Sequence, residues 1–444
     1  MTPGPGAPER RPGMDLHTDI AVVGGGLGGL TAAATASRGG ATTLVLEAHL
    51  PGGRARTTER DGFVWNLSSH ALYCGGPGGA ALASLGIVPI GAAPPLARYL
   101  GSSEGALHRL PTRPGPLLRT RLLGARSKAR LAGVLGRLPR MSPSALEGTS
   151  TRAWLEGLDL RTDADAVVRA LLRLGTYRAD VDRLGADAAL AQMQLASSGG
   201  VLYLDGGWAQ LTAALSDGFH VRTSAPVGSI VPAAGRFEIA CGEDRVIARH
   251  VVVAAGSPAA TRALLPDPPD WSDLDGTVTA ACLDLGVRRP PQPGYVLGID
   301  TPLYATTQGL PARQAPTRQV VVAVLRCSAR SAAEDRPVLD AHRRRAGVAD
   351  EDVLAERFLT SMTVAWTAPR ATLGGLRGRR RSQRCGLGSP ISKSVSVGTR
   401  ATPRCRWGAE LFTKPPTPSR AEGRPVPLGS KASSPVLRAS TWPR

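Results

Sequence analysis

Residues 18–56 constrain the fold of this chain most strongly. They read as a strand (19–23), a glycine-rich turn (24–29), an alanine-rich helix and a second strand (42–46) that ends at an acidic residue, Glu47. A strand, a tight turn and a helix in this order form the unit that binds a dinucleotide at a helix N-terminus. A glycine-rich turn alone is weak evidence in a chain with 53 glycines. The flanking strand and helix are what favour a nucleotide site over an ordinary turn.

Each position of this turn has a physical role. Gly24 permits the tight turn, Gly26 lets the backbone approach a pyrophosphate, and Gly29 lets helix and strand pack closely. The helix N-terminus directs free N–H groups and the positive end of its dipole at the phosphates. Glu47 lies 18 residues beyond Gly29, where a carboxylate accepts hydrogen bonds from ribose hydroxyls. The predicted binding residues of this unit are Gly24, Gly25, Gly26, Leu27, Gly28, Gly29, Glu47 and Ala48.

The residues after Glu47 indicate which nucleotide binds. A second glycine pair, Gly52-Gly53, precedes Arg54, and the segment DGFVWN follows at 61–66. This pattern resembles the phytoene desaturase and flavin amine oxidase superfamily of FAD proteins. The resemblance implies that Gly52, Gly53 and Arg54 line the FAD pyrophosphate and that the backbone of Val227 meets the adenine end. Two glycines allow close approach and a guanidinium neutralises phosphate; the alternative for Arg54 is a solvated surface residue.

The resemblance also implies a fold and a division of the chain. The expected fold class is α/β, with a Rossmann-type FAD-binding domain (glutathione reductase-like) interleaved with an α+β substrate domain. The expected segments are a disordered leader (1–17), a first FAD-binding segment (18–100), a helical cap of the substrate domain (101–196), a second FAD-binding segment (197–265), the mixed sheet of the substrate domain (266–370) and a basic low-complexity tail (371–444).

The apolar pattern predicts further elements along the chain. We expect a short helix at 80–85, two helices within 150–196 and a helix-to-strand segment at 356–364. Strands are predicted at 201–204, 220–227, 250–256, 278–285, 295–299 and 319–325.

Charge is concentrated at the end of the chain. The net charge is +19, and residues 371–444 hold 15 Lys or Arg against two acids, Glu410 and Glu422. The rest is only mildly basic, so we predict no specific nucleic-acid partner. The six cysteines are scattered without a CxxC pair, which argues against a zinc site or a disulfide framework, so no metal is expected. This cysteine usage, and the lack of an apolar run of about 18 residues, predict a cytoplasmic protein.

Residues 109–140 carry nine Lys or Arg and no acid. Leu118, Leu122, Ala125 and Ala129 are predicted to share one helical face, with Leu131, Leu135 and Leu138 continuing it. A basic amphipathic helix can lie on an anionic membrane surface, which would make this enzyme peripheral to a membrane. The preferred alternative is a solvated cap helix that packs on the substrate domain.

The tail departs from the resemblance. Flavoproteins of this superfamily close with a glycine-rich strand-helix element, often containing Gly-Asp, and residues 371–444 contain no Asp. One hypothesis is a reading-frame shift near Leu376 in a gene of high G+C content. The alternative is a basic disordered tail that binds nucleic acid or anionic lipid.

The resemblance implies an FAD-dependent oxidoreductase that dehydrogenates or isomerises an apolar, isoprenoid- or polyene-like substrate, with the electron acceptor unspecified. Amine oxidation is a second option. It is disfavoured because amine oxidases commonly place a Lys near the flavin and no Lys lies in the expected place here. Two further alternatives are an inactive flavin-binding remnant that lacks the closing element and a basic interaction protein. His70 follows the FAD element and is the one candidate for proton transfer, against a structural role.

Overall fold

The computed structural model describes residues 13–68, 70–268, 271, 276–308, 312–366, 368–373 and 395–397. Most of the expected leader and tail therefore lie outside the described residues. The described strands are β1 (Asp15–Val23), β2 (Thr43–Leu46), β3 (Thr57–Arg60), β4 (Phe63–Asn66), β5 (Leu72–Tyr73), β6 (Gly91–Ala92), β7 (Leu100–Ser103), β8 (Ala106–Arg109), β9 (Val201–Leu204), β10 (His220–Arg222), β11 (Val227–Ala233), β12 (Arg236–Cys241), β13 (Asp244–Val253), β14 (Val278–Val287), β15 (Tyr295–Gly298), β16 (Leu303–Thr307), β17 (Val320–Cys327), β18 (Val353–Ala365) and β19 (Val395–Val397).

The described helices lie between and over these strands. They are α1 (Leu27–Arg38), α2 (Pro77–Ser84), α3 (Pro114–Arg119), α4 (Ala125–Arg137), α5 (Thr151–Gly157), α6 (Thr162–Thr176), α7 (Ala186–Ser198), α8 (Ala209–Leu215), α9 (Pro258–Ala263) and α10 (Ala332–Arg345). Among the residues described, no helix has the length and apolar character needed to cross a bilayer.

The first large sheet carries the predicted nucleotide unit. Its strand order is β10-β2-β1-β13-β12-β11, with β19 beside β13. The strands β10, β2, β1 and β13 are parallel, so their carboxyl ends share one edge. Buried Val, Leu and Ala side chains of β1, β2 and β13 form its core, as expected for parallel strands covered on both faces.

The second large sheet is mixed, with the order β18-β14-β17-β16-β15-β7-β8. One face packs against the cap helices α4 to α7 through a large apolar cluster. The other face packs on α10 through Leu339 and Ala346. The first sheet draws on residues before 47 and after 219, and the second on residues 100–109 and 278–365. The predicted interleaved α/β fold is confirmed.

Several local predictions need correction. Residues 150–196 form three helices rather than two, because the chain turns between α5 and α6 at Asp159, where φ is +49°. Residues 220–227 are not one strand, since β10 ends at Arg222. Residues 356–364 contain no helix; they belong to β18, which pairs with β14 along its length.

The single helical face predicted within 109–140 is also wrong. The chain breaks between α3 and α4 at residues 120–124, where Gly124 donates its N–H to Asp163 Oδ2 at 3.0 Å. Leu118 is 73% exposed, whereas Leu131 and Leu138 are buried against the second sheet's cluster. The buried positions Leu117, Leu123, Leu131 and Leu138 hold both helices to the protein, as the cap-helix alternative requires.

Candidate FAD and substrate site

The glycine turn after β1 is tied to both neighbouring strands. Gly24 donates its N–H to Leu46 O at 2.8 Å, and Ala254 donates to Val23 O at 2.7 Å. Gly24 has a φ of +105°, and a Cβ at this position would lie 2.4 Å from Ala254 O. Only glycine fits this turn, because a side chain would be strained and would clash with the backbone after β13.

The helix that follows presents an open N-terminus. A Cβ built on Gly26 or Gly28 would have no heavy atom within 4 Å. The N-cap Gly26 provides no side-chain cap, and the first turn of α1 holds no acid. This combination leaves space and unpaired N–H groups where an anion is stabilised by the helix dipole. The backbone here fits a pyrophosphate.

Glu47 is buried at the end of β2 beside this turn. Its Oε2 accepts the N–H of Gly25 at 2.6 Å, and its Oε1 accepts the N–H of His49 at 2.9 Å. Ala225 donates its N–H to Glu47 O at 2.9 Å, so Val227 begins β11 two residues from this contact. Ala48 is exposed at the same edge.

The second glycine pair lies directly against the first. Gly52 donates its N–H to Gly25 O at 2.7 Å, and a Cβ on Gly53 would lie 3.4 Å from Gly26 Cα. The guanidinium of Arg54 donates to Val364 O at 3.2 Å and lies 5.9 Å from the Trp366 ring. Burial lowers the pKa of Arg54. The structure thus brings the predicted glycines, Glu47 and Arg54 together beside the carboxyl edge of the first sheet, in a cradle that fits FAD. Val227 is paired with Cys241 on β12, and no hydrogen bond among the described residues joins it to this cradle.

A family model supplies the identification. The model of the flavin containing amine oxidoreductases matches residues 27–324, more than half of the chain. The chain belongs to this family. It is an FAD-dependent oxidoreductase, as predicted, and FAD is its cofactor.

Solved structures of this fold agree at low sequence identity. An oxidoreductase from Methanosarcina mazei has a TM-score of 0.63 at 16% identity over 87% of this chain and 95% of that chain. Putrescine oxidase bound to putrescine has a TM-score of 0.66 at 16% identity, covering 87% and 94%. Cyclohexylamine oxidase from Brevibacterium oxydans IH-35A has a TM-score of 0.62 at 15% identity, covering 86% and 92%. These likenesses show the fold.

Among curated proteins, the chloroplastic prolycopene isomerase of Daucus carota is 42% identical over 62 residues. That match covers 14% of this chain and 10% of the relative, so this chain spans a small part of that relative's length.

In the present chain, His70 lies in a buried polar group beside the second sheet. Its Nε2 is 3.3 Å from Asp284 Oδ1, and neither ring nitrogen has a well-aligned hydrogen bond to any residue that the structure describes. Arg357 contacts the other oxygen of Asp284, with Nη2 at 2.5 Å from Oδ2. Burial would raise the pKa of Asp284, but His70 and Arg357 outweigh burial and lower it. Asp284 is therefore an anion that holds one side of the His70 ring.

Cys282 completes this group, because its thiol lies 3.3 Å from Asp284 Oδ1. The ligand atoms of His70, Cys282 and Asp284 lie within 4.8 Å of one another, a spacing that could hold a metal ion. Arg357 already balances the carboxylate charge, and burial raises the pKa of the Cys282 thiol well above its usual range. Both facts oppose a cation, so hydrogen bonding accounts better for the group.

Asp284 belongs to one row of side chains across the second sheet. Directly opposed residues on neighbouring antiparallel strands project from the same face. The register places five in line from β18 to β15, here called the polar row: Arg357, Asp284, Ala323, Thr306 and Tyr295.

Tyrosine hydroxyls gather at the far end of this row. Tyr99 and Tyr304 hydroxyls are 2.9 Å apart, and those of Tyr203 and Thr306 are 2.8 Å apart. These four buried residues are called the hydroxyl cluster. The Tyr295 hydroxyl is also buried, but within the described part of the chain it has no hydrogen-bond partner.

Sequence reasoning missed Asp284, Arg357 and the hydroxyl cluster. The signal for Asp284 was present, since it is the single charge in the apolar run of β14, VTAACLDLGV. A charge at a position where the strand is otherwise buried indicates a paired group. The tyrosines carry no such local signal, because they come from four separate strands and loops.

Proposed function

We propose that this FAD-dependent oxidoreductase dehydrogenates or isomerises an apolar, isoprenoid- or polyene-like substrate. FAD, when bound, supplies a hydride acceptor at its N5 atom. The observation that supports this proposal is the face of the second sheet between His70 and the hydroxyl cluster. That face is built from neutral and apolar side chains, and its one carboxylate among the described residues, Asp284, is paired with Arg357.

The protein's own groups would orient the substrate and handle a proton. Apolar side chains of α6, α7 and the second sheet exclude water from this face. Forming a C=C bond releases a proton as well as a hydride. Nδ1 of His70 is buried and has no partner among the described residues, while Nε2 faces the Asp284 carboxylate. An anion at Nε2 keeps the proton on that nitrogen and leaves the Nδ1 lone pair free to accept another.

Amine oxidation remains the second candidate, because the family and two of the similar structures carry that activity in their names. A cationic amine is held by a free carboxylate or by an aromatic cage. Arg357 occupies the Asp284 carboxylate, so a cation would depend on the buried rings of Tyr99, Tyr295 and Tyr304 alone. Lys128, the lysine within the described part of the chain, donates to Leu118 O on the cap instead. An inactive remnant is the third candidate, since the closing element is not evident in residues 371–444.

Anaerobic single-turnover reduction separates these candidates, because it needs no external electron acceptor. Protein loaded with FAD is mixed with phytoene in detergent, with putrescine, or with cyclohexylamine. The proposal predicts bleaching of the visible flavin absorbance by the polyene and none by the amines. Bleaching by an amine alone establishes the amine oxidase alternative. Bound flavin that no compound of either class reduces, with no isomer of the polyene formed, supports the inactive remnant.

His70→Asn tests the proton role in the same assay. We expect unchanged flavin content and bleaching slowed by about 10²–10⁴-fold, the usual contribution of a positioned acid or base. His49→Asn is the matched control, because His49 is exposed and contributes only its backbone N–H to Glu47. Equal rates of flavin bleaching in both variants would show that His70 has only a structural role.

We also propose that the substrate enters the protein from a membrane surface. Leu118 projects from α3, 73% exposed, beside the exposed Arg119 and Arg121. An apolar side chain among cations suits the surface of an anionic bilayer. Co-sedimentation with phosphatidylserine-containing vesicles should fall in Leu118→Glu and be unchanged in Leu107→Glu, a second exposed leucine on β8. Equal sedimentation of all three proteins would remove this proposal.

A further inference from the structure

Four of the six tyrosines of this chain lie in or beside the hydroxyl cluster. Tyr99, Tyr203 and Tyr304 form it with Thr306. The Tyr295 ring lies 5.0 Å from that of Tyr99. With aromatics at only 4% of the sequence, this concentration in the substrate half of the molecule calls for a chemical reason.

We propose that the hydroxyl cluster and Tyr295 bind a neutral oxygen function, a hydroxyl or a carbonyl, at one end of an otherwise apolar substrate. The proposal deepens the function proposed above and rests on it for the apolar part of the substrate. No assigned role accounts for these hydroxyls, which do not belong to the FAD cradle.

The unpartnered hydroxyl of Tyr295 points to a ligand. Its side chain is 1% exposed, and its oxygen has no hydrogen-bond partner among the residues that the structure describes. A buried polar group without a partner is costly and rare, so such a group in a native protein indicates a missing ligand or water. Thr306 is directly opposite Tyr295 in the register of β15 and β16. Directly opposed side chains share a face of the sheet, so an oxygen lying over this pair can accept from Tyr295 and reach Thr306 of the cluster.

The hydroxyl cluster favours a neutral ligand group. Its members are hydroxyls, and burial raises the pKa values of Tyr99 and Tyr304 well above the usual range, so they stay protonated. The hydrogen-bond partners described for the cluster are its own members. A buried ammonium would lack a counter-ion there, and Arg98, the cation that acts on Tyr295, is exposed to solvent and so stabilises a carboxylate only weakly. Phenol hydroxyls both donate and accept, which suits an alcohol or a carbonyl.

The sheet sets the distance from this group to the reacting end. Thr306 and Asp284 are two strands apart in the polar row, with Ala323 between them. Neighbouring strands are about 4.8 Å apart, so the two polar ends are separated by about 10 Å. The small Ala323 side chain keeps the face between them apolar. A substrate oxygen held at the hydroxyl cluster would leave a C–H bond several carbons away near His70.

Binding of two matched probes tests this inference. Farnesol and farnesene share an isoprenoid chain and differ in the terminal hydroxyl. Their dissociation constants are measured by the shift of the bound flavin spectrum and, independently, by quenching of tryptophan fluorescence in flavin-free protein. We expect about tenfold tighter binding of the alcohol, since sites built to hydrogen-bond a hydroxyl reject analogues that lack it.

Thr306→Val and Tyr304→Phe should each reduce the alcohol preference to about threefold or less, within the range of one neutral hydrogen bond. Thr307→Val is the matched control. Thr307 is the next residue on β16, is equally buried, and donates to Gly294 O at 3.0 Å on the opposite face. The control should keep the full preference.

Equal binding of both probes to the unaltered protein, binding of neither, or a preference that survives both cluster substitutions would overturn the inference. Its failure is distinguishable from failure of the proposed function. The alcohol preference is measured without turnover, whereas the proposed function fails if the flavin is absent or is reduced by amines alone.

Discussion

Asp284 Oδ1 lies 3.3 Å from Nε2 of His70, although both residues are almost fully buried and lie far apart in the chain. Arg357 holds the second oxygen of the same carboxylate. The three residues connect the segment after the FAD cradle to the paired strands β14 and β18 of the second sheet. The oxidoreductase therefore has a charged, internally balanced group buried beside that sheet.

Loss of the Asp284 charge should destabilise the protein strongly. Asp284→Asn leaves Arg357 mostly buried without its counter-ion, and breaking a buried pair costs about 3–5 kcal/mol. We expect a fall of that size in the free energy of unfolding, measured by urea titration. Replacing both partners, Asp284→Leu with Arg357→Met, should recover much of the loss. An unchanged free energy in Asp284→Asn would show that the pair contributes nothing.

The Asp284 carboxylate should also make the free energy of unfolding depend on pH in the acid range. Its pKa in the folded protein is lowered from 3.8 by His70 and Arg357, which outweigh the opposing effect of burial. A lowered pKa means that the unfolded chain binds the proton first, so the stabilisation is complete above pH 3.8 and is lost as pH falls through the lower folded value. Urea titrations at successive acid pH values should show this loss, and Asp284→Leu/Arg357→Met should lack it.

His342 should cause a second, separate fall in the free energy of unfolding, in milder acid. It is fully buried, and burial lowers its pKa from 6.5 to about 4. The unfolded chain binds a proton below pH 6.5 while the folded protein does not, so stability falls between about 6.5 and 4, by about 3 kcal/mol. His342→Gln keeps an N–H for Val296 O. In this variant the free energy of unfolding should change little over that pH range. A profile identical to that of the unaltered protein would contradict the assignment.

Glu47 should control cofactor affinity more than stability. Its carboxylate accepts N–H groups from Gly25 and His49 and lies where the ribose hydroxyls of FAD are expected. Glu47→Gln should weaken FAD binding by about tenfold or more, since a hydrogen bond to a charged group contributes about 1.5–3 kcal/mol. Glu59→Gln, at an exposed position on β3, is the control in the same fluorescence titration. Equal FAD affinities in both variants would remove Glu47 from the site.

The sequence predicted the nucleotide unit because that unit is local. Residues 24–29 and Glu47 are fixed by a strand, a turn and a helix in immediate succession, and the turn requires Gly24 at a positive φ. The fold class followed from the same stretch. The glycine pair at 52 and 53 was found through family resemblance, and its hydrogen bond to Gly25 shows why the element sits there.

The substrate site was not predictable in the same way. Arg357 and Asp284 are 73 residues apart and meet only through the pairing of β14 with β18. The same pairing makes residues 356–364 entirely β-strand, where a helix-to-strand segment was predicted, because tertiary contacts outweigh local helix preference. In residues 109–140 the predicted continuous helical periodicity was wrong. Residues 120–124 interrupt the helix and rotate the buried face, so Leu118 points to solvent and Leu131 to the core.

FAD titration of two glycine variants tests most directly whether this cradle holds the cofactor. Gly26→Ala adds a methyl group that touches none of the described residues, at ordinary backbone angles, whereas the matched Gly78→Ala adds one to an equally open position on α2. We predict that both variants keep the melting temperature of the unaltered protein. Gly26→Ala should lose FAD binding by at least about tenfold, because its methyl group occupies the space left for the pyrophosphate. Equal FAD affinity in Gly26→Ala and Gly78→Ala would contradict the FAD site described here.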